Sequence, residues 1–217
     1  MGKLTLQMLR FGMAVLLLGA VASGQTPGSA GSPKTVVFLG DSLAAGYGVK
    51  KAEAFPALVA EKIRAAQLPY EVENAGVSGD TTAGGLRRID WLLQRKIDVL
   101  VVELGANDGL RGLPVTATKA NLEAIIEKAK AKNPAVKIVI AGMQMPPNLG
   151  ADYANSFQRA FGEVAQANDA IIIPFLLEGV GGIRELNQPD LIHPTAAGHR
   201  LIADVVWKTL EPVLREK

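Results

Sequence analysis

The residues Gly40-Asp41-Ser42-Leu43 place a serine hydroxyl directly after a short apolar run, residues 35–39. A strand that ends in such a turn and opens a helix leaves the hydroxyl at the carboxyl edge of a sheet, where open α/β folds bind their ligands. The unpaired N–H groups of the helix start would stabilise an anion beside it. Serine and aspartate are also ordinary helix caps, so this turn alone fits either a nucleophile or a capped turn.

A serine nucleophile needs a base, and the chain has two histidines, His193 and His199. In a loop, Asp190 could accept the Nδ1 proton of His193 and leave Nε2 free to take the serine proton. His199 lies inside a predicted helix without such a neighbour, which favours a surface or packing role. Taken alone, Asp190 and His193 would also fit a helix cap followed by a surface histidine.

Acyl transfer also needs donors for the oxyanion of the tetrahedral intermediate. Gly79 could bring a backbone N–H close to a ligand, Asn107 could offer its side-chain amide, and Ser42 could add its own N–H. Gly79 and Asn107 are each common turn residues, so only the combination is specific. Asp41 and Asp108 are interpreted as loop residues held by hydrogen bonds.

Apolar residues follow the predicted fourth strand and could line a groove for an acyl group: Met143, Met145 and Leu149. Methionine adapts to irregular shapes, which suits such a groove. A loop packed against the last helix explains these residues equally well. Trp91 and Trp207 fall in helical patterns and are expected to be packing residues.

The elements that must position these side chains alternate along the chain, and this alternation predicts an α/β fold. Five strands separated by helices imply a parallel sheet with helices on both faces, a three-layer α/β/α sandwich of flavodoxin-like type. Strands are predicted at residues 35–39, 70–75, 99–104, 136–141 and 170–173. Helices are predicted at residues 54–67, 82–96, 116–132, 151–167 and 195–214.

Residues 1–24 have the pattern of a secretory signal peptide: a basic start, an uncharged apolar stretch and small residues at the end. An uncleaved N-terminal anchor is the alternative. Residues 25–33 are rich in Gly, Ser, Thr and Pro and predict a flexible lead-in. Residues 34–217 suit one domain, and the absence of cysteine excludes disulfides and Cys-based metal sites.

The charge balance argues against nucleic-acid binding. The chain has 23 basic and 21 acidic side chains. Lys3 and Arg10 lie in residues 1–24, so the rest of the chain is neutral and has no basic run. No spacing of His, Asp or Glu indicates a metal site, and no phosphate-binding loop is present. We therefore expect no cofactor and no metal.

Four separated stretches resemble the motif blocks of the SGNH, or GDSL-type, hydrolase superfamily, in that family's order. The longer strings resemble the exported bacterial branch of thioesterase I, lysophospholipase L1 and arylesterase. The four stretches are Gly40-Asp41-Ser42-Leu43, Gly79 within residues 75–82, Gly105-Ala106-Asn107-Asp108, and Asp190-Leu191-Ile192-His193. The resemblance implies that Ser42 is the nucleophile, His193 the base and Asp190 the orienting acid. It further implies an oxyanion hole of the Ser42 N–H, the Gly79 N–H and the Asn107 side chain.

These observations predict a periplasmic or secreted serine esterase or thioesterase that forms an acyl-enzyme. Its substrates would be small-molecule or lipid-like acyl esters (aryl ester, lysophospholipid or acyl thioester). We expect a monomer with no membrane span after signal cleavage. Two alternatives stay open: a carbohydrate acetylesterase on the same fold, or a secreted binding protein without catalysis.

Overall fold

The computed structural model describes residues 1–2 and 32–216, and the elements below lie in the unit Ser32–Lys217. Five strands form one sheet in the order β2-β1-β3-β4-β5, and every neighbouring pair is parallel. The strands are β1 (Lys34–Gly40), β2 (Tyr70–Gly76), β3 (Val99–Glu103), β4 (Lys137–Ala141) and β5 (Ile171–Ile173). Each begins and ends within one residue of its predicted bounds. The predicted parallel α/β sheet is confirmed.

Helices flank the sheet in two packed groups: α2 contacts α7, and α5 contacts both α3 and α6. The helices are α1 (Ser42–Ala45), α2 (Phe55–Ala65), α3 (Thr82–Leu92), α4 (Ala106–Leu110), α5 (Val115–Lys132), α6 (Ala151–Ala167) and α7 (Ala196–Arg215). Capping side chains fix two starts, since Thr81 accepts the Gly84 N–H at 3.2 Å and Thr195 accepts the Gly198 N–H at 3.3 Å. The result is the predicted three-layer α/β/α sandwich.

The strand positions explain their sequence patterns. All five residues of β3 are buried because this strand lies at the centre of the sheet, under helices on both faces. In β2 only Tyr70 is buried, and the other six residues are partly or fully exposed, because β2 is an edge strand. The central strand β3 is thus held within the apolar core up to its last residues.

The sheet register brings three loops together. Gly40, the last residue of β1, pairs with Gly76 at the end of β2 and with Glu103 at the end of β3. The segments that follow these strands therefore begin side by side at the carboxyl edge of the sheet, where α/β folds place their ligands.

The two tryptophans differ from the expectation that both pack. Trp207 packs against the core, whereas the Trp91 side chain is 63% exposed and the Arg95 guanidinium lies 5.9 Å from its ring centroid. Ile89 and Leu92 form the buried face of α3. Because Trp91 is two positions after Ile89, about 200° around the helix, it lies on the opposite face.

Almost all of the predicted signal peptide (residues 1–24), and most of the lead-in (residues 25–33), lies outside the described residues. Both assignments stay predictions. Among the residues described, no helix combines the length and the apolar composition needed to cross a membrane.

Candidate active site

Ser42 is the first residue of α1 and directly follows the turn at the end of β1. The Asp41 side chain caps this helix, and its Oδ1 accepts the Leu43 N–H at 3.0 Å. Gly46 ends the helix with φ 74°, a left-handed conformation that glycine adopts without strain, and its N–H donates to the Ser42 carbonyl. The helix is thus only four residues long, and its N-terminus carries the hydroxyl.

A continuous hydrogen-bonded relay joins Ser42, His193 and Asp190. The Nε2 atom of His193 lies 2.9 Å from Ser42 Oγ, and its Nδ1 atom lies 2.7 Å from Asp190 Oδ2. With the proton on Nδ1, Nε2 faces the serine hydroxyl as an acceptor. The structure thus joins the three residues in the order required for nucleophilic catalysis, and their roles stay predictions.

The carboxylate of Asp190 is held by its own loop. Its Oδ1 accepts the backbone N–H groups of Ile192 and His193, both at 3.0 Å. The His193 backbone N–H, the His193 side chain and the Ile192 N–H together lower the pKa of Asp190 to about 2. The group therefore stays ionised at neutral pH and stabilises a proton on the imidazole.

Gln188 connects the His193 loop to the segment after α1. Its Nε2 donates to the carbonyl oxygens of Tyr47 at 2.7 Å and Pro194 at 3.0 Å. The Tyr47 ring lies against the imidazole of His193, with centroids 4.5 Å apart. A Cβ added to Gly48 would lie 2.2 Å from Gln188 Oε1, so Gly48 leaves room for this link.

Asn107, at the start of α4, joins the loops of the other two predicted oxyanion donors. Its Nδ2 donates to Asp41 Oδ2 at 3.1 Å and to the Asp80 carbonyl at 2.9 Å. Both amide hydrogens are thus engaged, and donation to an oxyanion would require one of these bonds to be shared or released. Within residues 32–216, the N–H groups of Ser42 and Gly79 donate no hydrogen bond and stay available.

Two arginines fix the loop that carries Gly79. Arg111 donates from Nη2 to the Gly79 carbonyl at 2.9 Å. Arg88 pairs with Asp80 Oδ2 at 2.7 Å and donates to the Gly40 carbonyl at 2.9 Å. Arg88 therefore ties this loop to the serine turn, a connection that neither motif spacing nor periodicity indicates.

The two motif aspartates hold their loops, as expected. Asp108 accepts the Thr82 N–H at 2.8 Å and the Thr82 hydroxyl at 2.5 Å. Asp41 is fully buried, and this burial raises its pKa to about 6, although hydrogen bonds from the Leu43 N–H and Asn107 oppose the shift.

The structure separates the three residues that were considered for an acyl groove. Met143 is 2% exposed and belongs to the core, so its side chain offers no surface to a substrate in this conformation. Met145 is partly buried against the core, and Leu149 is 46% exposed. Met143 is thus a packing residue of the core.

His199 is buried in α7. Its Nδ1 accepts the Phe55 N–H at 3.2 Å, and its Nε2 has no hydrogen-bond partner among the described residues. Burial lowers the pKa of His199 to about 4. Of the two roles expected for this residue, surface or packing, the structure shows the packing role. Over the described part of the chain, no group of three or more His, Asp or Glu side chains is arranged to bind a metal ion.

Comparisons of this chain with family models and with known proteins agree on one family. The model of the GDSL-like lipase/acylhydrolase family matches residues 38–201. Esterase TesA of Pseudomonas aeruginosa is 39% identical over 93% of this chain and 99% of its own length. The thioesterase 1/protease 1/lysophospholipase L1 of Escherichia coli is 36% identical over 85% of this chain and 87% of its own. An arylesterase of Vibrio mimicus is 35% identical over 84% of this chain and 90% of its own length.

Solved structures show the same similarity in three dimensions. The crystal structure of TesA superposes with a TM-score of 0.80 at 39% identity, covering 83% of this chain and 99% of that one. The structure of psychrotrophic esterase EstA from Pseudoalteromonas sp., inhibited by monoethylphosphonate, superposes with a TM-score of 0.79 at 34% identity. The match covers 84% of this chain and 100% of that one.

Proposed function

The chain belongs to the GDSL-like lipase/acylhydrolase family, and from that premise we propose that it is an exported serine hydrolase of acyl esters and thioesters. It acts through an acyl-enzyme intermediate on Ser42. The observation that carries this proposal is the relay from Ser42 Oγ through His193 to Asp190, with contacts of 2.9 and 2.7 Å. The named relatives, which are esterases, a thioesterase and an arylesterase, support the reaction class.

In the first half of the reaction, Ser42 Oγ attacks the carbonyl carbon while His193 Nε2 takes the hydroxyl proton. The resulting imidazolium is stabilised by the Asp190 carboxylate. When the tetrahedral intermediate collapses, the same proton passes to the leaving oxygen or sulfur. In the second half, His193 removes a proton from water, the hydroxide attacks the acyl group, and Ser42 regains its proton.

The oxyanion that forms in each half is stabilised by the N–H groups of Ser42 and Gly79, with Asn107 as the third donor. The two backbone donors are supported by their lack of other partners within residues 32–216. Asn107 meets the oxyanion by sharing one of its hydrogen bonds, which now run to Asp41 and Asp80. The two backbone donors are already unpaired, and preorganised donors of this kind lower the barrier because they need no reorganisation during the reaction.

Exposed apolar side chains in the segments at the carboxyl edge of the sheet support a substrate with a hydrophobic acyl or aryl group. Six exposed large apolar side chains lie in segments that follow the strands or belong to the His193 loop, at the edge of the sheet that carries Ser42. They are Tyr47, Val77, Leu110, Leu149, Leu191 and Ile192. Exposed apolar groups concentrated near one site are typical of ligand or lipid contact.

The test is hydrolysis of p-nitrophenyl esters from acetate to palmitate by the protein without residues 1–24. Ser42→Ala is the test variant, and Ser156→Ala, on α6, is the control. We expect Ser42→Ala to lose at least about 10³-fold in kcat and Ser156→Ala to retain activity. Hydrolysis that survives Ser42→Ala would contradict the nucleophile. Activity confined to acetylated sugars would instead favour the carbohydrate acetylesterase.

Export rests on the basic and then apolar pattern of residues 1–24. After expression of the full chain, we expect the protein in the periplasmic or secreted fraction. Its measured mass should correspond to a chain that lacks about the first 24 residues. Recovery of the uncleaved chain from the cytoplasm would contradict export.

A further inference from the structure

A carboxyl side chain lies directly beneath the serine turn. Glu103 is the last residue of β3, is fully buried, and pairs across the sheet with Gly40. Its Oε2 accepts the backbone N–H of Asp41 at 3.2 Å and that of Ala44 at 3.1 Å. These two peptide groups flank Ser42, so one oxygen atom connects both sides of the nucleophile turn to the centre of the sheet.

The N–H groups of this turn divide into two classes. Those of Asp41 and Ala44 donate to Glu103, and that of Leu43 donates to the Asp41 side chain. Within the described residues, the Ser42 N–H alone of these four has no acceptor. The unpaired donors of a helix start normally need side-chain or solvent partners. Here two carboxyl groups satisfy three of them and leave the fourth for a ligand.

We propose that Glu103 is a positioning residue for the nucleophile: it holds the turn so that the Ser42 N–H and hydroxyl keep the orientation that acyl transfer requires. This inference rests on the proposed role of Ser42. Glu103 does not contact the substrate and acts only through the peptide groups of Asp41 and Ala44.

Gly40 provides the space for this contact. A Cβ added at Gly40 would lie 2.4 Å from Glu103 Oε2 and 2.5 Å from the Ala44 Cβ, which is closer than real Cβ contacts. The glycine at this position is thus explained by the carboxyl group that approaches it, and not by backbone freedom, since no positive φ is found there.

The surroundings of Glu103 favour its neutral form. Burial, and next the nearby Asp41 carboxyl, raise the pKa of Glu103 well above its ordinary value. Its Oε1 has no hydrogen-bond partner among the described residues. Since only an acceptor oxygen is needed, a glutamine side chain should replace it well.

The test compares four variants of the protein without residues 1–24 on one p-nitrophenyl ester. Glu103→Leu removes the acceptor, Glu103→Gln keeps it, and Glu103→Asp withdraws it by one methylene. Val101→Ala is the matched control because Val101 is a buried residue on the same face of β3 and contacts neither N–H group. Each variant is measured for kcat, KM, melting temperature and the rate of Ser42 phosphonylation.

We expect Glu103→Leu and Glu103→Asp to lower kcat and the phosphonylation rate by about 10²-fold with little change in KM, as a small misplacement of a reacting group does. Glu103→Gln and Val101→Ala should keep most of both rates, even where Val101→Ala loses thermal stability. If Glu103→Leu fails to fold, Glu103→Asp provides the same comparison.

Rates in Glu103→Asp equal to those of Val101→Ala, or a loss in Glu103→Gln as large as in Glu103→Asp, would overturn the proposal. Absence of any Ser42-dependent turnover in the wild type would instead refute the proposed function.

Discussion

The two histidines lie six residues apart in the chain, but their surroundings are opposite. His193 is in a loop, where its ring nitrogens contact Asp190 and Ser42 and its side chain is 20% exposed. His199 is fully buried in α7 and accepts one hydrogen bond, from the Phe55 N–H. The imidazole thus has a charged partner and partial exposure at position 193, whereas at position 199 it is buried and stacked on the Phe55 ring.

The difference explains why His193, and not His199, is proposed as the base. The His193 ring is hydrogen-bonded to the carboxylate of Asp190, whereas burial lowers the pKa of His199 to about 4 and keeps that ring neutral at neutral pH. The proposed proton transfer would depend on Asp190 and Ser42, the two partners that His193 contacts, and His199 contacts neither.

The largest effect that sharpens this comparison is expected from Asp190→Asn. The amide oxygen can still accept the N–H groups of Ile192 and His193, so the loop keeps its shape. The amide nitrogen, however, would face Nδ1 and favour the wrong tautomer of His193. We expect kcat to fall by about 10⁴-fold with KM nearly unchanged, as measured with a p-nitrophenyl ester. A kcat close to wild type would mean that His193 needs no carboxylate.

A smaller effect, on stability alone, is expected from His199→Gln, which keeps an acceptor for the Phe55 N–H. The folded-state pKa of about 4 lies below the ordinary 6.5, so the unfolded chain binds more protons between these pH values. Acidification through this window should cost the wild type up to about 3 kcal/mol of unfolding free energy. The contribution of His199 is complete above pH 6.5.

Urea unfolding of both proteins at several pH values between 7 and 4 measures this effect. Asp41, whose pKa is raised to about 6, titrates in the opposite sense in both proteins and cancels in the difference. Identical pH dependence of the wild type and His199→Gln would contradict the burial argument. Activity at neutral pH should be retained in His199→Gln.

The sequence was sufficient for the strands and the five long helices because these depend on local patterns, although α3 ends at Leu92 and not at residue 96, and the short helices α1 and α4 were not predicted. The contact between Ser42 and His193 is long-range, and it was expected from the order of the four motif blocks. Apolar runs located the strands, and Asp190 lies close enough to His193 in the chain to be recognised as its partner. Glu103 and Gln188 were missed because their contacts are long-range. In the sequence, Glu103 is only one residue of a predicted buried strand. Its contact with the serine turn follows from the sheet register, which pairs it with Gly40. Met143 was considered for an acyl groove but is buried. The sequence could not decide this, because a residue that follows a strand can either enter the core or face the site.

The most direct test of the account is the turnover of His193→Ala beside that of His199→Gln, under the same conditions and with the same ester. We expect His193→Ala to lose about 10⁴-fold or more in kcat and His199→Gln to remain near wild type at neutral pH. Loss of turnover in His199→Gln, with activity retained in His193→Ala, would contradict the assignment of His193 as the base.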